Sequence, residues 1–297
     1  MRQERFEGVY VANVTPFDEN ENVDWQSLDG HYEFLLQNKV HGLVPCGTTG
    51  EGPTLSYEDR DRIVSLAVEK AKAHSAKVIV GCGSNNTRTA LKMIETAAKL
   101  KADAALVVTP YYNKPTQSGL IAHYKFLAEQ SPLPIILYNV PGRTNVNINP
   151  ETAVEIFKHP NIVGIKEASG NHGQWMALAS QINFREKSLL AGDDDAFVTV
   201  CQLGGCGIIS ATANVVPGHF VKIYELIKAG KTLEALSKQG KLLSLIQSMF
   251  METNPSPAKF ALSAMKCMQN QVRLPLVPVS SKTEEAVLTA LRGLEIL

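Results

Sequence analysis

Lys166 stands in NIVGIKEASG (161–170), a run of apolar and β-branched residues that is typical of a buried strand. Lysine is seldom buried unless it is paired or chemically used. Desolvation favours the neutral amine, which can attack a ketone or aldehyde and form a Schiff base. Taken alone, a strand-end lysine more often extends into water, but polar residues at the ends of the other predicted strands favour a Schiff-base lysine. The alternative is a lysine that simply extends from a strand end into water.

Polar residues of the right types follow other apolar runs. Thr48 and Thr49 follow one run, Tyr112 follows a second, and Tyr138 lies at the end of a third. A phenol beside a cationic iminium can donate and accept protons, and a threonine hydroxyl can extend that relay. Taken alone, Tyr138 is equally consistent with a core tyrosine.

Eight apolar runs recur along the first part of the chain, at 8–14, 42–47, 77–83, 104–110, 134–140, 161–169, 188–194 and 205–212. They are continuously apolar, as strands of a parallel sheet buried on both faces are. Helical patterns separate them: Ser56 with Asp59 begins one, and Asn149 with Pro150 begins another. The pattern predicts an α/β protein with a (β/α)8 TIM-barrel fold, in which active sites lie where the strands end.

The domain organisation follows from where the strand pattern stops. Residues 1–216 are predicted to form the barrel, and residues 217–297 a helical region packed on it. The prolines of NPSP (254–257) are expected to interrupt the helical pattern there.

The composition restricts the classes of molecule that the protein is expected to bind. The chain has 297 residues, 44% of them hydrophobic, and 29 basic residues balance 29 acidic ones. Such a chain has no net field for nucleic acid or an anionic membrane, which favours a small-molecule substrate. We expect a cytoplasmic protein, because no run approaches the length of a signal or membrane segment. Five cysteines without a CxxC motif predict free, mostly buried thiols.

Three other site types are weighed against these patterns. GTTGEG (47–52) and GCGSNN (81–86) match no nucleotide-binding motif and are interpreted as turns. Asp193, Asp194 and Asp195 could bind a divalent metal with Glu167, but helix capping is the favoured interpretation. The histidines lack ligand spacing, so no metal is predicted.

The chain resembles the dihydrodipicolinate synthase (4-hydroxy-tetrahydrodipicolinate synthase) branch of the N-acetylneuraminate lyase superfamily. The resemblance runs from about residue 6 to the end and rests on motifs in matching order: GTTGEG, VTPYYNKP, YNVPGRT, GIKEASG, AGDD, GIISATANV, NPSPAKFAL and LPLVP. It implies a (β/α)8 barrel with a helical C-terminal region. It also implies a lyase that condenses pyruvate with L-aspartate 4-semialdehyde in diaminopimelate and lysine biosynthesis, without a cofactor.

The resemblance also implies roles for individual residues. Lys166 is similar to the Schiff-base lysine, and Tyr138 to the proton donor and acceptor. Thr49 matches the hydroxyl that binds the pyruvate carboxylate and links Tyr138 to Tyr112. Tyr112 reaches into a neighbouring subunit in that family, beside Thr48, so a homotetramer built as a dimer of dimers is implied. Ile209 and Gly192 match residues that line the pyruvate pocket.

Arg143, in YNVPGRT, bears on the choice of substrate. A guanidinium can hold a carboxylate through two hydrogen bonds, and aspartate semialdehyde offers a second carboxylate. This favours the synthase over two related activities, those of an N-acetylneuraminate lyase and a 2-keto-3-deoxy sugar acid aldolase. A non-catalytic barrel that binds a keto acid stays open as a different class. A nicotinamide-linked dehydrogenase is disfavoured because GxGxxG is absent.

The positions that bind inhibitory lysine in many family members lack a carboxylate in this chain. They read Gly52, Pro53, Tyr57, Arg60 and Thr89. A bound ammonium group would lose its charge-assisted partner. We therefore predict weak or absent inhibition by lysine.

Overall fold

The computed structural model describes residues 5–297. Eight parallel strands follow one another in chain order around a closed barrel. Their bounds are Gly8–Ala12 (β1), Gly42–Val44 (β2), Lys77–Gly81 (β3), Ala104–Val108 (β4), Ile135–Asn139 (β5), Ile162–Glu167 (β6), Ser188–Ala191 (β7) and Gly207–Ser210 (β8). Each lies within one of the eight apolar runs, so the (β/α)8 prediction is confirmed.

Helices connect these strands, as the fold requires. Their bounds are Trp25–Gln37 (α1), Tyr57–Ala73 (α2), Thr87–Lys99 (α3), Gln117–Gln130 (α4), Pro141–Thr144 (α5), Pro150–Phe157 (α6), His172–Gln181 (α7) and Phe197–Gln202 (α8). Short 3₁₀ turns occupy Gly52–Thr54, Asp194–Ala196 and Thr212–Asn214.

Further helices follow β8. They span Pro217–Lys228 (α9), Thr232–Lys241 (α10), Leu243–Ser248 (α11), Ser256–Ala264 (α12) and Ser281–Gly293 (α13). Within this region α9 packs against α10, and α13 packs against α11 and α12. The proline-containing segment 254–257 lies where the helical pattern breaks and α12 begins, as expected. The domain boundary between residues 216 and 217 stays a prediction.

The chain forms two compact units. The first contains Val78–Ile209 with residues 5–8, and the second contains Val9–Lys77 and Ser210–Leu297. In the first unit the Gly8 amide donates to the Cys206 carbonyl at 2.9 Å. A Cβ on Gly207 would lie 2.1 Å from the Gly8 carbonyl oxygen, so this close approach of two backbones requires glycine.

Two helix starts test the capping predictions. The Ser56 hydroxyl accepts from the Asp59 amide at 3.0 Å at the start of α2, as predicted. Asn149 holds the N-cap position of α6, with Pro150 beginning the helix, but its side chain makes no capping hydrogen bond. Its Oδ1 instead accepts from the side-chain Nδ2 of Asn147 at 3.2 Å, so a hydrogen bond between side chains replaces the expected cap.

The remaining composition-based predictions concern membranes and thiols. No helix in residues 5–297 combines the length and the apolar character needed to cross a membrane. None of the five cysteines, all of which lie in the described residues, forms a disulfide; four of them, Cys46, Cys82, Cys201 and Cys206, are buried. The prediction of mostly buried thiols is confirmed.

Candidate active site

Lys166 and Tyr138 lie side by side in the first unit. Register pairs Tyr138 of β5 with Lys166 of β6, which sends both side chains to the same face of the sheet. The Lys166 Nζ lies 4.2 Å from the centroid of the Tyr138 ring. Lys166 is only 6% exposed, so it does not extend into water as the alternative interpretation supposed. Tyr138 is buried too, so the structure brings the predicted nucleophile and the predicted proton donor together inside the protein.

A polar network holds the ends of these two strands. The next register pair is Asn139 and Glu167, and the Asn139 Nδ2 donates to Glu167 Oε2 at 3.1 Å. Glu167 also accepts from the Ser169 amide at 2.9 Å and from the Gln174 Nε2 at 3.2 Å. Burial raises the pKa of Glu167, and these hydrogen bonds oppose that rise. The network holds Glu167, the residue directly after Lys166.

Asp193 brings a carboxyl group close enough to Lys166 for the two charges to interact. Burial raises the pKa of Asp193 to about 6, the Lys166 charge opposes that rise, and the neighbouring carboxylates Asp195, Asp194 and Glu167 add to it. Asp193 holds the N-cap position of the 3₁₀ turn Asp194–Ala196, but within this described segment its side chain makes no capping hydrogen bond. The capping interpretation is therefore wrong for the Asp193 side chain. No local pattern in the sequence indicated that Asp193 approaches Lys166.

Gly192 lies directly after β7, and Ile209 lies in β8. The Gly192 amide donates to the Glu167 carbonyl at 2.8 Å, and a Cβ at Gly192 would lie 2.6 Å from the Ala168 Cβ. Glycine is therefore required for β7 to close on the strand that carries Lys166. Ile209 is fully buried in β8. Their predicted contact with pyruvate stays a prediction.

Arg143 belongs to α5, directly after β5, and its residue is exposed. The turn is fixed from within, because the Thr144 hydroxyl donates to the Val146 carbonyl at 3.0 Å. The Thr109 hydroxyl at the end of β4 reaches Thr144 Oγ1 at 3.1 Å. Arg143 thus lies on a hydrogen-bonded turn shortly after Tyr138, and its role toward a substrate carboxylate stays a prediction.

Tyr112 differs from the other predicted site residues. It is 89% exposed and has a φ of 69°, a conformation that bulky residues rarely adopt. Within the described part of the first unit, the Tyr112 side chain makes no hydrogen bond or ring contact with Lys166.

The two predicted threonines lie in a tight turn of the second unit, after β2. The Glu51 amide donates to the Thr48 carbonyl at 3.1 Å, and the Gly52 amide to the Gly47 carbonyl at 3.1 Å. Thr49 is buried, and its Oγ1 accepts from the Asn254 Nδ2 at 2.9 Å. Sequence analysis assigned no role to Asn254. The only available signal was its place in NPSPAKFAL.

A buried ion pair anchors the same turn. Lys259 Nζ donates to Glu51 Oε1, and both side chains are almost wholly buried. Lys259 also lies 4.0 Å from the centroid of the Phe17 ring. Burial lowers the pKa of Lys259 to about 8, and the Glu51 carboxylate opposes that lowering.

The positions that match the family's lysine site differ in burial: Gly52 is buried, whereas Pro53 and Tyr57 are exposed. Gly52 and Pro53 form the 3₁₀ turn after β2, and Tyr57 begins α2 with an exposed ring. Thr89 lies in the first turn of α3, where its amide donates to Asn86 Oδ1 at 3.3 Å. Weak or absent inhibition of the protein by lysine stays a prediction. Across residues 5–297 the histidine, cysteine and acidic side chains form no group that could hold a metal ion.

These features define a (β/α)8-barrel enzyme with a buried lysine at the end of its sixth strand. The chain belongs to the dihydrodipicolinate synthetase family, whose model matches residues 5–293. The predicted family is confirmed, and with it the prediction that the chain is a lyase of the synthase branch.

Curated relatives and solved structures agree with this membership. The 4-hydroxy-tetrahydrodipicolinate synthase of Methanoculleus marisnigri is 43% identical over 94% of this chain and 97% of its own length. The dihydrodipicolinate synthase structure from Thermotoga maritima has a TM-score of 0.96 and 41% identity, covering 98% of this chain and 99% of that one. The lysine-bound enzyme from Cyanidioschyzon merolae has a TM-score of 0.95 and 32% identity, with 98% and 99% coverage.

Proposed function

We propose that the protein condenses pyruvate with L-aspartate 4-semialdehyde through a Schiff base on Lys166, in diaminopimelate and lysine biosynthesis. The observation that carries this proposal is the buried Lys166 amine 4.2 Å from the Tyr138 ring centre. A buried amine at a barrel strand end is suited to attack a keto carbon. No cofactor is required, because the iminium itself is the electron sink.

The first half of the reaction activates pyruvate. The neutral Lys166 amine attacks C2 of pyruvate, and the resulting carbinolamine loses its hydroxyl as water when a proton is delivered to that oxygen. Tyr138 is the donor that the geometry favours, since its ring lies against Lys166. The product is an iminium, and loss of a proton from C3 converts it to an enamine. The nearby Asp193 carboxylate offsets the positive charge of the iminium.

The second half forms the carbon–carbon bond. C3 of the enamine attacks the aldehyde carbon of the semialdehyde, and the resulting alkoxide takes up a proton from the relay. The amino group of the new chain then attacks C2, closing the ring and releasing Lys166 as a free amine. We assign Arg143 to the carboxylate of the semialdehyde and Thr49 to the carboxylate of pyruvate. We also assign Thr48 to the site, and Gly192 with Ile209 to the pocket wall.

The exposure of Tyr112 supports the proposal that the enzyme is an oligomer. A tyrosine that is 89% exposed in a strained conformation suits a side chain that acts in a neighbouring subunit. We propose that Tyr112 completes the relay across an interface in a cytoplasmic homotetramer.

Borohydride trapping tests the proposal. The protein is incubated with pyruvate and sodium borohydride, its intact mass is measured, and the modified peptide is mapped. We expect one reduced pyruvate adduct on Lys166 and none in the Lys166→Ala variant. Lys259 is an internal control, because it is buried in an ion pair and should stay unmodified. A folded protein that gives no adduct would favour the non-catalytic keto-acid-binding barrel.

The acceptor is tested separately, with purified semialdehyde in a coupled assay. Product formed from semialdehyde supports the synthase. Turnover only of N-acetylneuraminate or a 2-keto-3-deoxy sugar acid would support the related lyase or aldolase activities instead.

A further inference from the structure

The Thr49 hydroxyl has a fixed hydrogen-bond partner from the C-terminal region. Asn254 Nδ2 lies 2.9 Å from Thr49 Oγ1, although the two residues are separated by 205 positions in the chain. Both side chains are buried, each about 4% exposed. A buried contact of this kind holds the hydroxyl oxygen in one place.

The chemistry of the two groups gives this contact a direction. An amide NH₂ group can only donate a hydrogen bond, so the Thr49 oxygen is the acceptor. A hydroxyl carries a single proton, and that proton cannot also point at the nitrogen. It is therefore directed elsewhere, toward a different acceptor. The contact with Asn254 makes Thr49 a donor on its other side.

Further buried contacts in the same unit hold Asn254 close to Thr49. Asn254 lies just before α12, and Lys259 of that helix forms the buried ion pair with Glu51, two residues after Thr49. The Arg273 amide donates to Glu51 Oε2 at 2.9 Å, so both carboxylate oxygens are held. The Thr15 hydroxyl donates to the Gly50 carbonyl at 2.8 Å. The turn cannot shift away from Asn254 without breaking several buried contacts.

We infer that Asn254 is a positioning residue that sets the direction of the Thr49 hydroxyl, so that its proton is given to the pyruvate carboxylate or the proton relay. This inference rests on the proposed function, because that function supplies the acceptor. Asn254 does not touch the reacting atoms itself. It acts by occupying the oxygen of Thr49 as a donor.

Asn254→Asp is the sharpest test. An ionised carboxylate can only accept a hydrogen bond, so the Thr49 proton would turn toward it and leave the relay. A hydrogen bond to a charged group corresponds to a factor of about 10 to 100, and we expect kcat at pH 8 to fall by that factor. Activity should recover as the pH is lowered and the carboxyl becomes protonated, since it can then donate.

Three comparisons separate this role from a structural one. Asn254→Ala has neither donor nor carboxylate and should lose less kcat, with no new pH dependence. Asn183→Asp is the matched control: Asn183 lies on an exposed loop, and its Oδ1 accepts from the Arg185 amide, which a carboxylate can also do. In a Thr49→Val background, Asn254→Asp should cause no further loss of kcat and no added pH dependence.

The readouts distinguish failure of this inference from failure of the proposed function. Absence of a pyruvate adduct on Lys166 in the unaltered protein would overturn both. A normal adduct, together with Asn254→Asp and Asn254→Ala variants that lose kcat equally with identical pH profiles, would overturn the role of Asn254 alone. If Asn254→Asp does not fold, the cycle between Asn254→Ala and Thr49→Val decides, and fully additive losses contradict the inference.

Discussion

Tyr138 and Lys166 occupy paired positions on neighbouring strands, and the lysine nitrogen lies over the tyrosine ring at 4.2 Å. The pairing places a phenol and an amine together on two adjacent strands. In the proposed mechanism Tyr138 makes two separable contributions: its ring packs against the amine, and its hydroxyl would transfer protons.

Tyr138→Phe separates these contributions. It keeps the ring over Lys166 and removes only the hydroxyl, so we expect kcat to fall by about 100-fold or more while the protein stays folded. Steady-state kinetics measures kcat, and thermal unfolding checks the fold. The variant should still give the borohydride adduct, only more slowly. An unchanged kcat would contradict a role for Tyr138 in proton transfer.

Arg143→Ala should affect one substrate far more than the other. Arg143 lies on an exposed turn. Loss of the two charge-assisted hydrogen bonds proposed between its guanidinium and the semialdehyde carboxylate should lower kcat/KM for the semialdehyde by about 100-fold. The rate of imine formation with pyruvate, followed by borohydride trapping, should change by less than about 3-fold. Arg143→Lys should recover only part of the loss, because an ammonium cannot form the same fork. Equal losses for both substrates would contradict this assignment.

Asp193 should introduce a titration near pH 6 into the reaction with pyruvate. Its pKa is raised to about 6, mainly by burial, so the carboxylate forms as the pH rises through that value. A carboxylate near Lys166 stabilises the cationic iminium, so kcat/KM for pyruvate should increase with pH across this range. Asp193→Asn should lose this step in a profile measured from pH 5 to 8. A step that persists in the variant would assign the titration to another group.

Lys259→Met should destabilise the protein. The substitution leaves Glu51 buried without its cation, which costs about 3–5 kcal/mol in the free energy of unfolding. The double variant Glu51→Gln/Lys259→Met removes both charges and should recover part of that loss. Urea unfolding measures both.

Lys222→Met is the matched control, because Lys222 pairs with Glu225 on an exposed helix face. Exposed pairs contribute little, so no measurable change is expected. A loss in Lys259→Met no larger than in this control would show that the buried pair does not stabilise the turn.

The sequence predicted the fold because the relevant signals are local. Continuous apolar runs and helix starts such as Ser56 depend on residues close together in the chain. The contacts that hold Thr49 and its turn depend on residues far apart in the chain. Asn254 and Lys259 are about 200 residues away from the Thr49 and Glu51 side chains that they contact. No periodicity or spacing reports such pairs. Asp193 was misinterpreted for the same reason, because its neighbour Lys166 lies on a different strand.

Lysine should inhibit this enzyme weakly or not at all. The positions corresponding to the family's lysine site carry Gly52, Pro53, Tyr57, Arg60 and Thr89, none of which supplies a carboxylate for an ammonium group. The relative from Cyanidioschyzon merolae, in contrast, has been solved with lysine bound. Steady-state assays should show little inhibition by millimolar lysine, and half-maximal inhibition below that range would contradict the prediction.

Thr89→Glu tests whether the missing carboxylate is the cause. Thr89 lies in the first turn of α3, where a carboxylate is favoured by the helix dipole, so the variant should fold normally. We expect it to lower the half-inhibiting lysine concentration by at least about 10-fold, corresponding to roughly one charge-assisted hydrogen bond. Thr89→Gln, which adds length without charge, should not do so. Equal sensitivity in the two variants would mean that the lost carboxylate does not explain the insensitivity, and that Arg60 or the residues of the Gly52–Thr54 turn do.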